Sequence, residues 1–150
     1  PAGVSLSQIE SWKENTPVEF LEHHPDMPQL FRSCDIVCLP SHREGLPRAL
    51  IEAAACARPI VTTDCTGCRE LVTTAKNGFV VPVGDSQALA DALQNLIQDR
   101  ALRIEMGKES RKMIERGRYQ TVQVIEDTFR IFDEVLGSEE SIQSQLPFLR

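Results

Sequence analysis

Glu44 and Glu52 stand in a Glu-x7-Glu pair inside the segment Pro40-Ser41-His42-Arg43-Glu44-Gly45-Leu46-Pro47-Arg48-Ala49-Leu50-Ile51-Glu52. Between them lie the parts of an anion site. Gly45 permits a tight turn and lets a ligand come close to the backbone. Pro47 suits the first turn of a helix. The N–H groups of Leu46, Arg48 and Ala49 then face outward without intrahelical acceptors. The positive end of the helix dipole adds to them, so the helix start attracts anions by geometry and by charge. A carboxylate beside such a start does not serve charge balance. It is better explained as an acceptor for sugar hydroxyls, which donate hydrogen bonds to ionised carboxylates.

Each residue also has a plain structural reading. Glu52 follows Arg48 by one helical turn, the spacing of a surface ion pair. Arg48 is as well suited to solvent as to a phosphate, and Arg43 reads as surface. Glu70 reads as a capping or pairing residue near a short helix, and His23-His24 as a solvated pair. The five cysteines, Cys34, Cys38, Cys56, Cys65 and Cys68, are odd in number and do not read as a disulfide framework. Cys65-Thr66-Gly67-Cys68 is a single C-x-x-C without a second Cys/His pair. It points to a reduced turn and helix start, with zinc or thioredoxin-like chemistry as lesser alternatives. No metal and no cofactor are expected.

The elements that must hold this segment alternate between β-rich and helical runs. Val18-Glu19-Phe20-Leu21 reads as a short strand. Asp26 caps a helix with Pro28 in its first turn. Asp35 to Pro40 reads as a strand covered on both faces. A helix opens at Pro47 and runs to about Cys56, followed by a strand over Pro59–Thr63 and a short helix over Glu70–Ala75. Asn77-Gly78 marks a turn before a fourth strand, Phe79–Val83. Beyond Asp85 the chain is helical. Leu89, Ala92, Leu93, Leu96 and Ile97 form one apolar stripe, capped by Asp85 or Ser86. A second helix spans about Ala101–Glu115. A third spans Gln120–Leu136, with Val122, Ile125, Phe129, Phe132 and Leu136 on one core-facing side and Gly137 as its stop. The pattern predicts an α/β, Rossmann-like parallel sheet of about four strands flanked by helices, followed by C-terminal helices. Ligands of such sheets bind at the carboxyl ends of the strands, which makes the loop after Asp35–Pro40 the loop of interest.

The 150 residues suit one domain, and 41% hydrophobic with 25% charged residues allows a sizeable core. A net charge of -6 with scattered basic residues argues against nucleic acid as a partner. No apolar run reaches the ~20 residues of a membrane span. The location expected is cytoplasmic. The start at Pro1-Ala2-Gly3 reads as cut from a longer chain.

An ordered series of motifs surrounds the glutamates: Pro40-Ser41, Glu44-Gly45-Leu46-Pro47, Glu52-Ala53-Ala54-Ala55-Cys56-Ala57-Arg58-Pro59-Ile60-Val61-Thr62-Thr63, Gly67-Cys68-Arg69-Glu70 and Asn77-Gly78-Phe79-Val80-Val81-Pro82. Over roughly Ile9 to Leu136 the chain resembles the C-terminal domain of family 4, or group 1, retaining glycosyltransferases of the GT-B fold, and represents a partial copy of it. The resemblance implies that the chain binds the NDP-sugar donor of an enzyme that transfers sugar to a glycan or lipid-linked acceptor in polysaccharide or glycoconjugate synthesis. It implies that Glu44 contacts donor-sugar hydroxyls and counts as the catalytic position. Gly45, Leu46, Arg48 and Ala49 would line the donor site, their N–H groups meeting sugar and distal phosphate. Glu52 would take ribose hydroxyls, and the loop of Glu22 to Asp26 would lie near the base. Such enzymes are thought to react on one face of the donor, the leaving diphosphate helping to deprotonate the acceptor. Catalysis would then be positioning and charge stabilisation.

The resemblance further implies two earlier strands with an Arg and a Lys for the diphosphate, and an acceptor-binding N-terminal domain through which the protein could be membrane-peripheral, neither found in this sequence. Residues 1–136 are thus expected to form a partial donor-binding domain with 137–150 as a tail. The fragment alone should be inactive and should dimerise through exposed sheet edges. The alternatives are a GT-B-fold nucleotide-sugar epimerase and a non-enzymatic flavodoxin-like interaction domain.

Overall fold

Three short apolar runs pair in parallel because a helix follows each of them and carries the chain back to the same end of the sheet. In the computed structural model, which describes residues 4–21, 24–117 and 119–136, these are β1 (Val37–Leu39), β2 (Ile60–Thr63) and β3 (Gly78–Val81). Their order is β1-β2-β3, with Ile60 opposite Val37 on one side and Gly78 on the other. All four residues of β2 are buried, and their alternation divides the core in two. Ile60 joins Phe31, Leu50, Ala53 and Leu71. Val61 joins Val81, Ala92, Leu96 and Met106.

The first cluster is closed by α2 (Met27–Ser33), α3 (Arg48–Ala55) and α4 (Cys68–Leu71), the second by α5 (Ser86–Gln98). α6 (Arg100–Arg116) serves both, giving Met106 to one and Ile114 to the other. Helix starts fall where the side chains cap them. Asp26 Oδ1 accepts from the Gln29 N–H at 2.9 Å, and Asp85 Oδ1 accepts from the Ala88 N–H at 2.9 Å. Each such cap is worth about 1 kcal/mol. The expected α/β class, a parallel sheet flanked by helices, is what the chain forms, with three strands among the described residues where about four were expected.

Four sequence expectations need correction. The short helix expected over Glu70–Ala75 forms instead as α4 over Cys68–Leu71, and residues 72–75 are not helical. Val18–Leu21 is not a strand: it follows α1 (Leu6–Asn15), stays exposed and makes no ladder, because no strand lies beside it among the described residues. Phe20 instead lies under the Lys13 ammonium, 5.6 Å from the ring centre. The Asp35–Pro40 strand is not covered on both faces. β1 is the sheet edge and Cys38 is exposed on it. The third helix forms as α7 (Thr121–Leu136), but its apolar side is not core. Val122 and Phe132 are 64% and 50% exposed, because no other element among the described residues packs closely along it. Glu22, His23, Gly137 and the tail from Ser138 lie outside the described residues.

Candidate functional site

The Pro40–Pro47 loop leaves the carboxyl end of β1, and its neighbours on β2 hold it there. Thr62 Oγ1 donates to the Leu39 carbonyl at 2.8 Å, and Thr63 Oγ1 donates to the Ser41 carbonyl. Both threonines are buried, so these bonds are shielded from competing water. Within the loop, the Ser41 hydroxyl donates to Glu44 Oε1 at 2.7 Å. That bond fixes the half-buried carboxylate and leaves its second oxygen open.

α3 then begins at Arg48 on a buried Pro47 that provides no side-chain cap. Leu50 and Ile51 donate to the Pro47 carbonyl, but the N–H groups of Leu46, Arg48 and Ala49 have no partner among the described residues. Their donors and the helix dipole therefore remain available beside Glu44. Leu46 is 48% exposed, so the turn before the helix is open to solvent.

Glu52 lies one turn further along α3. Its Oε1 is 3.2 Å from Arg48 Nη2, so the plain structural reading of this pair is realised. The Arg48 side chain is 89% exposed and that of Glu52 31%. Such a solvated pair is worth well under ~1 kcal/mol and opens readily for a competing ligand. Glu70 is exposed on α4 without a partner among the described residues, whereas Arg69 pairs with Asp64 at 3.1 Å.

The loop rests on a residue to which its place in the sequence motifs gave no role. Gly67 has φ +82°, and a Cβ there would collide with the carbonyl oxygen of Gly45. Gly45 itself has no positive φ, and a Cβ on it would meet nothing within 4 Å. Of the two glycines, Gly67 is therefore the one whose lack of a Cβ the loop packing requires. On either side of Gly67, Cys65 and Cys68 are buried free thiols at the start of α4. Burial pushes the Cys68 thiol up; the Thr62 hydroxyl opposes this, while the Cys65 thiol and the Glu44 carboxylate add to it. Among the described residues no group of three or more His, Cys, Asp or Glu side chains gathers as a metal site would.

Beside the loop, a cleft of about 190 Å³ opens at the carboxyl ends of the strands, lined by Pro40, His42, Thr63, Gly84, Asp85 and Ser86 among others. The strand-end rule for open α/β sheets points to this position, and Pro40 and Thr63 of its lining belong to the motif series around the glutamates.

The sequence signature of the family described as glycosyl transferases group 1 matches residues 6–113. A Campylobacter jejuni protein named N,N'-diacetylbacillosaminyl-diphospho-undecaprenol alpha-1,3-N-acetylgalactosaminyltransferase is 34% identical over 62% of this chain and 25% of its own length. The capsular polysaccharide biosynthesis glycosyltransferase CapM of Staphylococcus aureus is 34% identical over 68% of this chain and 27% of its own. The chain thus spans about a quarter of the curated relatives it matches. Among solved structures, Anabaena HepE in complex with UDP-glucose superposes with a TM-score of 0.76 at 28% identity, covering 88% of this chain and 35% of HepE. No helix among the described residues is long and apolar enough to cross a membrane. The signature spans well over half of the sequence, and the chain belongs to the glycosyl transferases group 1 family.

Proposed function

We propose that this chain is the donor-binding part of a retaining glycosyltransferase that moves a sugar from a nucleoside diphosphate to a glycan or lipid-linked acceptor. The observation that carries the reading is the set of unpartnered N–H groups of Leu46, Arg48 and Ala49 next to the fixed Glu44 carboxylate. Phosphate and polyol are the two chemistries these groups accept. HepE, which shares the fold at 28% identity, is seen with UDP and with UDP-glucose. The names of the Campylobacter and Staphylococcus relatives point to lipid-linked and capsular acceptors.

In this reading Glu44 takes hydroxyls of the donor sugar on its free oxygen. Gly45 leaves room for the sugar against the backbone, and the Leu46, Arg48 and Ala49 N–H groups hold the distal phosphate. Glu52 exchanges Arg48 for the ribose hydroxyls. The sugar is transferred on one face of the donor: the bond from its anomeric carbon to the diphosphate breaks, the bond to the acceptor oxygen forms, and the acceptor proton passes to the departing diphosphate. No metal enters this scheme. Residues 1–136 form the donor-binding unit and 137–150 its tail, acting on the cytoplasmic side with an acceptor domain elsewhere in the protein. The bare β1 edge is suited to a further strand or a second copy.

The test is calorimetric titration of UDP-, GDP- and ADP-sugars into the full-length protein. Saturable binding of at least one, weakened by Glu52→Ala, is expected. A folded protein that binds none of them would sink the proposal.

A further inference from the structure

At the opposite end of the sheet from the Glu44 loop, a second cleft of about 290 Å³ opens where the chain enters β1 and β2. It is lined by Asp35, Arg58, Arg100, Arg103, Ile104 and Lys108, together with Ala57 and Pro59. Four cations thus face one carboxylate in a chain whose net charge is -6.

Two of the four are built in. Arg58 donates from Nε to the Cys56 carbonyl and from Nη1 to the Cys34 carbonyl, both at 2.9 Å. Arg103 Nη1 donates to the Leu96 and Ile97 carbonyls at 2.6 and 2.8 Å, and its side chain is only 17% exposed. These carbonyls end α2, α3 and α5, so part of each charge offsets a helix terminus carrying ~0.5 of a negative charge. Each guanidinium still has further N–H donors in a fixed fork. The carboxylate is a poor partner: Asp35 Oδ1 stands 3.9 Å from Arg103 Nε and its side chain is 83% exposed. The side chains of Arg100 and Lys108, on α6, have no hydrogen bond or ion pair among the described residues, unlike those of Arg111 and Lys112 on the same helix. Arg100, Arg103, Ile104 and Lys108 set one side of α6 along the cleft, while the start of that helix is capped by Asp99, whose Oδ1 accepts from the Leu102 N–H at 2.9 Å.

We infer that this cleft is a second anion site, selective for a small phosphate dianion: inorganic phosphate, or the phosphomonoester end of a larger molecule. Pinned guanidiniums provide the geometry for a tetrahedral oxyanion, and the two unpartnered cations close over it. The site is separate from the Glu44 loop and does not depend on the glycosyltransferase reading.

Inorganic phosphate is titrated into the full-length protein by calorimetry at low salt, with chloride as the control anion. The comparison is the double variant Arg100→Gln/Lys108→Gln, whose side chains hold no partner and whose loss leaves the pinned arginines in place. The variant should bind phosphate at least roughly tenfold more weakly, a change of about 1.4 kcal/mol, while nucleotide-sugar binding and melting temperature stay unchanged. Glu52→Ala should leave phosphate binding at this cleft intact. Co-sedimentation with vesicles of phosphatidic acid in phosphatidylcholine, against phosphatidylcholine alone, tells a lipid phosphomonoester from a free one, and either result is compatible with the site. Phosphate that binds no better than chloride, or that binds the folded double variant as tightly as the parent, overturns it.

Discussion

Gly67 lies directly against Gly45, with the carbonyl oxygen of Gly45 occupying the place where a Cβ of residue 67 would stand. The contact ties the start of α4 to the loop that carries Glu44, so the two motif glycines have different duties. One is a spacer for the fold and the other is open toward solvent.

This contact predicts opposite outcomes for two alanine substitutions. Gly67→Ala combines a positive φ with a backbone collision, and such positions cost on the order of 1–3 kcal/mol before any displacement of the loop. Gly45→Ala meets no neighbour and should leave stability within about 0.5 kcal/mol. Urea unfolding of both variants decides. If Gly67→Ala were as stable as the parent, the contact would not be holding the loop.

Arg48 and Glu52 form the ion pair that the helix spacing allows, which sharpens the test of Glu52. If the pair were its whole role, Arg48→Ala and Glu52→Ala would have the same small effect, below ~0.5 kcal/mol, on stability alone. With ribose hydroxyls as the true partners, Glu52→Ala should weaken nucleotide-sugar binding by about 1.5–3 kcal/mol. Binding curves for the two variants of the full-length protein separate the cases, and equal curves would leave Glu52 as a surface residue.

Glu44 is held by Ser41 at the edge of the open loop rather than in the core. Glu44→Gln keeps its shape and can still accept from the serine hydroxyl, so folding should change little. Turnover per folded molecule should fall, because a neutral amide accepts hydroxyl hydrogen bonds less strongly than a carboxylate. Ser41→Ala should lower turnover by a smaller factor, since the carboxylate persists but is less fixed. A Glu44→Gln protein that melts early yet transfers sugar normally would make Glu44 structural.

Much of this arrangement is legible in the residues. Pro47 marks the helix start, Asp26 and Asp85 mark two others, and the apolar runs around Val37, Ile60 and Phe79 mark the sheet. Each of these signals is local. What escaped depends on partners distant in sequence. Val18–Leu21 has strand composition but nothing to pair with, and a strand exists only through its ladder. The α7 stripe has helical period, but periodicity gives a face and not what covers it. The support of the Glu44 loop by Thr62, Thr63 and Gly67 joins segments more than twenty residues apart, and no spacing rule announces it.

The Cys68 thiol gives a pH-dependent prediction. Burial, the first cause of its raised pKa, keeps it protonated in the folded chain through the range where an unfolded thiol ionises, near 9.0. The folded state therefore binds more protons than the unfolded state above that range. The stability this group contributes is complete below about pH 8.5 and is lost as pH rises toward the elevated folded value. Denaturation midpoints should fall between neutral and strongly alkaline pH, and Cys68→Ser should flatten part of the fall. Alkylation of Cys68 at pH 8 should be slow relative to an unfolded control, since the thiolate is the reactive form. Rapid labelling of the folded chain would mean that the C-x-x-C turn opens freely.

Residues 1–150 taken alone should bind nucleotide sugars weakly. The described loop offers a diphosphate the start of α3, worth ~0.5 of a positive charge, the exposed Arg43, and Arg48, whose side chain is 89% exposed and already shared with Glu52. A nucleoside diphosphate carries at least two negative charges, and a solvated arginine returns little of the cost of fixing them. The basic cleft near Arg103 cannot help, because it lies at the other end of the strands. Addition of magnesium or of EDTA should change nothing, since the proposed phosphate contacts are N–H groups and not a bridging ion. Calorimetry of UDP-, GDP- and ADP-sugars with this chain is the direct measurement. Micromolar affinity for any of them would show that the Glu44 loop and the first turn of α3 suffice, and that the contribution assigned to charges elsewhere in the protein is too large.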